Sequence, residues 1–164
     1  MAAWTARVSA GLPGPGSAMP EFVLRPASEG DSPHIRQLIR RAGINPFGLD
    51  WRHFVVAETG QGRFAGCGQL KPHGDGSVEL ASIAVEEAYR GQGVARSVIQ
   101  RLLAQAPRPL YLTCRPRLGP FYDKFGFRPA EQGALPPYFR RVHRLMGFVT
   151  RWAGRPGPLI MRLD

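Results

Sequence analysis

Cysteine and lysine are scarce in this chain of 164 residues, and long apolar runs are missing. Two cysteines, Cys67 and Cys114, are too few for a disulfide-stapled scaffold, and by themselves they cannot complete a four-ligand zinc site. No run approaches about 18 consecutive apolar residues, so the sequence predicts no membrane-spanning helix. What remains is a single domain of ordinary size, which buries about two-thirds of its unfolded surface.

Positive charge is concentrated in the C-terminal third. The formal net charge is +10, and Lys71 and Lys124 are the only lysines among 22 basic residues. Residues 1–100 carry ten bases and nine acids, whereas residues 101–164 carry twelve bases and three acids. This excess predicts a positive field that favours an anionic ligand, an acidic substrate or a nucleic acid. A merely solvated basic surface is the alternative.

The first 20 residues lack the apolar periodicity of a folded segment. They are rich in glycine, proline, alanine and serine. We therefore expect a disordered leader over 1–20 and the folded domain over 21–164. In that domain a helix is predicted to begin at Asp31-Ser32-Pro33 and to end at Gly43. Strands are predicted at 22–26, 54–57, 64–70, 78–85, 110–115 and 159–163.

A glycine-rich turn at 86–96 connects the predicted strand 78–85 to a helix. The first N–H groups of a helix have no internal partner, and together with the helix dipole they form a binding site for anions. An ordinary strand-to-helix turn, with glycines that relieve backbone strain, is the alternative. Arg96 stands where a dinucleotide fingerprint needs glycine or alanine, and the Gly-Lys-Ser/Thr of a nucleotide P-loop is missing.

Two motifs together resemble the GCN5-related N-acetyltransferase (GNAT) superfamily. The first is Arg90-x-x-Gly93-x-Ala95, and the second is Gly-Pro-Phe-Tyr-Asp-Lys-Phe-Gly-Phe at 119–127. The resemblance covers 21–164, and residues 78–128 carry its specificity. It implies an α/β (α+β) fold with one twisted, mixed and mostly antiparallel sheet of about seven strands, flanked by helices and splayed between strands 4 and 5. It also implies acetyl-CoA as cosubstrate, bound in that split, and no metal.

The resemblance assigns the cosubstrate contacts to two adjacent segments. The strand segment Ile83, Ala84 and Val85 would face the pantetheine arm and polarise the thioester. The pyrophosphate would be held by the turn, which consists of Arg90, Gly91, Gln92, Gly93, Val94, Ala95 and Arg96.

Two residues are candidates for proton transfer. Tyr122 is the candidate general acid, because a phenol with an ordinary pKa near 10 can reprotonate a departing thiolate. A packed aromatic ring is the alternative. Glu79 is the possible general base, directly or through water, and an ion-paired carboxylate is its alternative; lesser candidates are His73, Asp75 and Glu87. Cys114 would act only in a ping-pong mechanism, whereas the family uses direct transfer.

The sequence therefore predicts an N-acetyltransferase that acts on a primary amine of a small molecule, peptide or protein. A non-catalytic acyl-CoA sensor or a nucleic-acid-binding module that uses the basic C-terminal region is the alternative; a dinucleotide-dependent oxidoreductase is a third. We expect a cytoplasmic monomer or homodimer that does not bind nucleic acid. A basic helix ending near Trp152 is predicted to pack on the core through an apolar stripe that consists of Phe139, Val142, Leu145, Met146, Val149 and Trp152. Docking of this helix to RNA, membrane lipid or an acidic substrate is the alternative.

Overall fold

The predicted strands and helices are present in the predicted order. The structure is a computed structural model, and it describes residues 6–7, 21–152 and 156–164. The main strands are β1 (Phe22–Pro26), β2 (Phe54–Thr59), β3 (Phe64–Pro72), β4 (Val78–Val85), β5 (Leu110–Cys114), β6 (Arg128–Pro129) and β7 (Leu159–Leu163). The helices are α1 (Ser32–Arg41), α2 (Val94–Leu103), α3 (Gly119–Asp123) and α4 (Pro137–Trp152).

The chain divides into two units, and β3 and β4 each contribute residues to both. The first unit comprises Met1–Leu70 and Ser82–Gln105, and the second comprises Lys71–Ala81 and Ala106–Asp164. Within the predicted leader, Ala6–Arg7 forms a two-residue strand beside β1. The rest of the leader lies outside the described residues.

In the first unit, β1, β2 and β3 pair antiparallel in sequence order. Helix α1 has proline in its first turn, and it buries Ile35, Leu38 and Ile39. These residues recur at three- and four-residue spacing, which places them on one face. The face packs on the inner side of β2, including Phe54 and Val56. The hydrophobic core of this unit therefore lies between α1 and the sheet.

Small residues in β3 allow α2 to approach the sheet closely. A Cβ on Gly68 would lie 2.5 Å from Ile83 Cδ1 and 2.8 Å from Val98 Cγ1. A Cβ on Gly66 would lie 2.8 Å from the carbonyl oxygen of Ala84, which is backbone and cannot rotate away. The Ala-Gly-Cys-Gly run in β3 thus fixes the packing distance of the helix that follows the glycine-rich turn.

Gly66→Ala is expected to lower the free energy of unfolding by about 1–3 kcal/mol, because the added methyl group overpacks this contact. For a chain of this size, each kcal/mol corresponds to about 2–4 °C in Tm. Thermal unfolding followed by circular dichroism measures the change. Gly74→Ala is the control, since a Cβ there meets no heavy atom within 4 Å. Equal Tm values for the two variants would contradict the close approach.

The second unit contains the parallel strand pair of the sheet. Here β4 pairs parallel with β5, with Glu79 opposite Tyr111, and β5 pairs antiparallel with β7 over five residues. β6 adds antiparallel to the other edge of β7. A buried cluster of Tyr111, Leu135, Phe139 and Ile160 forms the core of this unit. The predicted mixed, mostly antiparallel seven-strand sheet is confirmed.

Helix α4 packs on its unit through its first turns. Phe139 is fully buried, but Leu145 is 67% exposed and Trp152 is 90% exposed. The prediction that the apolar stripe packs on the core is therefore wrong at Leu145 and Trp152, because helical spacing reveals a face but not what covers it. The side chain of Val149 lies outside the described part of the structure. In the described part of the chain, no helix is both long and apolar enough to cross a membrane.

Candidate active site

The glycine-rich turn presents open backbone at the start of α2. Gly91 has φ +76° and Gly93 has φ +84°, a left-handed conformation that favours glycine. A Cβ at either position would meet no heavy atom within 4 Å, so the space beside the turn is open. Helical hydrogen bonding begins where the N–H of Ser97 donates to the carbonyl oxygen of Gly93 at 3.0 Å. The N–H groups of residues 94–96 therefore have no acceptor within the helix.

Polar side chains stabilise this turn and leave cationic groups exposed around it. Arg90 Nε–H donates to the carbonyl oxygen of Val85 at 3.4 Å, and Gln92 Nε2–H donates to that of Ala88 at 2.9 Å. Arg90 and Arg96 are exposed. With the positive end of the helix dipole, these groups fit a phosphate or diphosphate. The structure brings the seven residues predicted for the pyrophosphate together in one turn of the first unit.

β4 contains a backbone feature that the sequence analysis missed. Among the described residues, Ser82 is the one non-glycine residue with positive φ, at +56°. Its hydroxyl accepts a hydrogen bond at 2.8 Å from Nε2 of Gln69, a fully buried side chain. This distortion lies directly before Ile83, Ala84 and Val85, the segment predicted to contact the pantetheine arm. Sequence gives little signal for it, because serine rarely adopts this conformation.

Glu79 is paired with His73 in the second unit. His73 Nε2 lies 2.9 Å from Glu79 Oε2, and the two side chains are only 5% and 11% exposed. The His73 ring stacks on Tyr138, with 3.5 Å between ring centroids and 17° between the planes. From sequence, the two residues are alternative candidates for the base; the structure joins them in one hydrogen-bonded pair.

Asp75 lies near this pair and holds local structure through its hydrogen bonds. Its carboxylate accepts hydrogen bonds from the Ser77 hydroxyl at 2.6 Å and from the N–H of Tyr138 at 2.7 Å. These bonds lower the pKa of Asp75 to about 2, with the Ser77 hydroxyl as the largest cause. Such a weak base is a poor acceptor for an amine proton. Asp75 instead links the β3–β4 hairpin to the start of α4. Glu87, the other carboxylate alternative, is exposed in the first unit.

Tyr122 lies in an aromatic environment on α3, which begins with Gly119-Pro120. Its ring makes edge contacts with Phe121 and Phe127, at centroid distances of 5.1 and 6.2 Å. Burial raises the pKa of Tyr122 to about 12, and the nearby Cys114 adds to the effect. Burial also raises the pKa of the Cys114 thiol to about 11. Both groups are therefore protonated at neutral pH, and Cys114 is a poor nucleophile.

A model of a known protein family matches the part of the chain that contains these residues. The model for the acetyltransferase (GNAT) domain matches residues 50–129, which include Glu79, the glycine-rich turn and Tyr122. The chain therefore carries a GNAT acetyltransferase domain, which confirms the family predicted from its two motifs, and it is an acyltransferase. No curated protein sequence matches the chain.

Solved structures confirm the fold. Rv2747 from Mycobacterium tuberculosis, solved with CoA, is 22% identical with a TM-score of 0.67, and the match covers 85% of this chain and 97% of that one. N-acetylglutamate synthase from Neisseria gonorrhoeae, solved with coenzyme A and N-acetyl-glutamate, is 24% identical with a TM-score of 0.64; the match covers 87% of this chain but 35% of that one. Ard1 from Thermoplasma volcanium is 15% identical with a TM-score of 0.61, over 87% and 96% of the two chains.

Proposed function

We propose that this enzyme transfers the acetyl group of acetyl-CoA directly to a primary amine. The observation that carries this proposal is the turn at 90–96. Two left-handed glycines and the unpaired N–H groups of the α2 start offer a diphosphate several donors without steric obstruction. The backbone of Ile83, Ala84 and Val85 would bind the pantetheine arm, and a donor there would polarise the thioester oxygen. Preorganised donors of this kind contribute about 2.7–4 kcal/mol to catalysis.

Tyr122 is the proposed general acid. As the tetrahedral intermediate collapses, the carbon–sulfur bond breaks and the Tyr122 hydroxyl transfers its proton to the sulfur. The high pKa of Tyr122, about 12, keeps the phenol protonated until then. The departing thiolate takes this proton as negative charge develops on its sulfur. Solvent then restores the phenol.

Glu79 is the proposed base, and His73 is the residue that orients it. An acceptor amine with a pKa around 10 is mostly protonated at neutral pH, and it must lose a proton before it attacks. In this proposal His73 holds Oε2 of Glu79, and the carboxylate takes that proton directly or through one water. The protonated thiol of Cys114 favours this direct route over a covalent acyl-enzyme.

We further propose that the reaction takes place in the cytoplasm. Cys67 and Cys114 are both free, as expected for a compartment that keeps thiols reduced. The acceptor is a small molecule or a peptide or protein amine.

A screen of amines with acetyl-CoA tests the proposed function. The library should include amino acids, polyamines, peptides with free N-termini, lysine peptides and aminoglycosides. We expect release of the CoA thiol and an acetylated product, identified by mass spectrometry, with at least one of these classes. Binding of acetyl-CoA without turnover on any of them would instead favour the acyl-CoA sensor.

Gly93→Val is expected to weaken acetyl-CoA binding by about 10–100-fold, because the side chain blocks close approach of the phosphates to charge-assisted donors. Isothermal titration calorimetry measures the change. Gly62→Val is the matched control, since Gly62 has φ +77° and equally open surroundings. Both variants carry the strain of a left-handed side chain, about 1–2 kcal/mol. If the two variants bind acetyl-CoA with equal affinity, the turn is not part of the cosubstrate site.

A further inference from the structure

The outward face of α4 presents large apolar side chains to solvent. Leu145, Phe148 and Trp152 are 67%, 73% and 90% exposed. They are three and four residues apart, so they lie on the same side of the helix. The opposite side of the helix is held by Phe139, which is buried against Tyr111 and Ile160 in the second unit. The exposed stripe therefore faces away from the core that anchors the helix.

Arginines accompany this apolar stripe. Arg140, Arg141 and Arg144 are exposed, and residues 137–152 contain no aspartate or glutamate. Arg141 and Arg144 each stand four residues before a member of the stripe, so each lies one helical turn away from Leu145 or Phe148. An arginine side chain is long enough to lay its stem along apolar surface while its guanidinium reaches a neighbouring anion. The face thus combines exposed apolar side chains with exposed cations one helical turn away.

We propose that this face attaches the enzyme to the surface of an anionic phospholipid membrane. The helix lies parallel to the surface, with Leu145, Phe148 and Trp152 between the head groups and the arginines on the lipid phosphates. Tryptophan is suited to this position, because its ring is apolar and its N–H is polar. Apolar insertion together with several arginines supplies the two contributions that stable interfacial binding requires.

Charge favours a membrane over the other occupants of such a face. In a symmetric dimer the same patch would meet itself, which would place three arginines of one copy against three of the other without a carboxylate on either helix. A nucleic acid would neutralise the arginines, but it would leave the aliphatic side chain of Leu145 without an apolar partner. An anionic bilayer satisfies both the guanidinium groups and the apolar stripe. This inference does not depend on the proposed acetyl transfer.

Vesicle co-sedimentation of the full chain tests the proposal. We expect binding to phosphatidylcholine vesicles that contain about 30% phosphatidylglycerol, little binding to phosphatidylcholine alone, and weaker binding as salt rises. Replacing Arg140, Arg141 and Arg144 together with glutamine should lower the partition coefficient by about 100-fold. The triple variant Leu145→Ser, Phe148→Ser, Trp152→Ser should lower it by at least about tenfold. A blue shift of the tryptophan emission on binding should be lost in Trp152→Phe.

Two matched variants control for non-specific effects. Phe47→Ser removes an equally exposed aromatic ring, 76% exposed, from a loop of the first unit. Arg36→Gln with Arg40→Gln removes exposed positive charge from α1. Both should bind vesicles as the parent chain does. The proposal is overturned if the α4 variants retain full binding or if the control variants lose as much. It is also overturned if light scattering shows a dimer that only the α4 variants abolish, or if the chain binds RNA but not vesicles.

Discussion

Replacing Tyr122 with phenylalanine is expected to lower kcat by about 10²–10⁴-fold while acetyl-CoA affinity stays nearly unchanged. The substitution removes the phenolic proton and keeps the ring, whose edge contacts with Phe121 and Phe127 hold it in place. General acid catalysis by one positioned group contributes a rate factor of about this size. Single-turnover kinetics with the best acceptor, together with calorimetry for acetyl-CoA, separates the chemical step from binding.

Tyr111→Phe is the control for this experiment, because it removes a phenolic oxygen from the buried core of the same unit. It should retain most of the turnover. The pKa of Tyr122, about 12, also predicts that this acid causes no alkaline loss of rate until the pH approaches that value. If Tyr122→Phe keeps the parental rate in a regime where chemistry limits turnover, the residue is only a packed aromatic.

Glu79→Gln is expected to lower the rate by a similar factor, about 10²–10⁴-fold near neutral pH, because an amide cannot accept the amine proton. The deficit should shrink as the pH rises towards the acceptor pKa of about 10, where more of the amine is already neutral. The His73 hydrogen bond survives, since an amide oxygen also accepts from the imidazole N–H. The measurement is turnover against pH for both proteins, at saturating acetyl-CoA and with one amine of known pKa.

Asp75→Asn is the matched control for this substitution. It changes a neighbouring carboxylate that anchors the start of α4, and the proposal gives it no proton to carry. It should affect stability more than the shape of the pH profile. Parallel profiles with equal rates for Glu79→Gln and the parent would eliminate Glu79 as the base, and would direct attention to His73 or a water chain. A fall in Tm without a change in profile would mark Glu79 as structural.

Local signals explain which elements the sequence could predict. α1 was predictable because a proline in the first turn and a 3.6-residue apolar period coincide between 31 and 43. The predicted cap is absent, since the Asp31 carboxylate bonds to Arg25 and Ser28 and not to the first turn of α1. The turn at 91–93 was predictable because glycine is the residue that left-handed backbone favours, and both glycines have positive φ. Each of these signals is contained in a few consecutive residues.

The parts that the sequence did not reveal depend on residues brought together by the fold. The pairing of His73 with Glu79 depends on the register of the β3–β4 hairpin. It also depends on Tyr138, which lies far along the sequence in α4 and stacks on the His73 ring. Ser82 has a positive φ although serine does not favour left-handed backbone. No element in the described part of the chain covers Trp152, and apolar periodicity is the same for a covered and an uncovered face.

The stacking of Tyr138 on His73 constrains how the length of this region can vary in evolution. Tyr138 and Phe139 are consecutive; the first covers the imidazole beside Glu79, and the second fills the core of the unit. A helix turns by about 100° per residue, so inserting one residue between them would rotate the two rings apart. Within α4, length changes disturb this arrangement least towards the end of the helix, where the exposed stripe lies. The ring that covers the proposed base and the face proposed for membrane binding can therefore diverge separately on one helix.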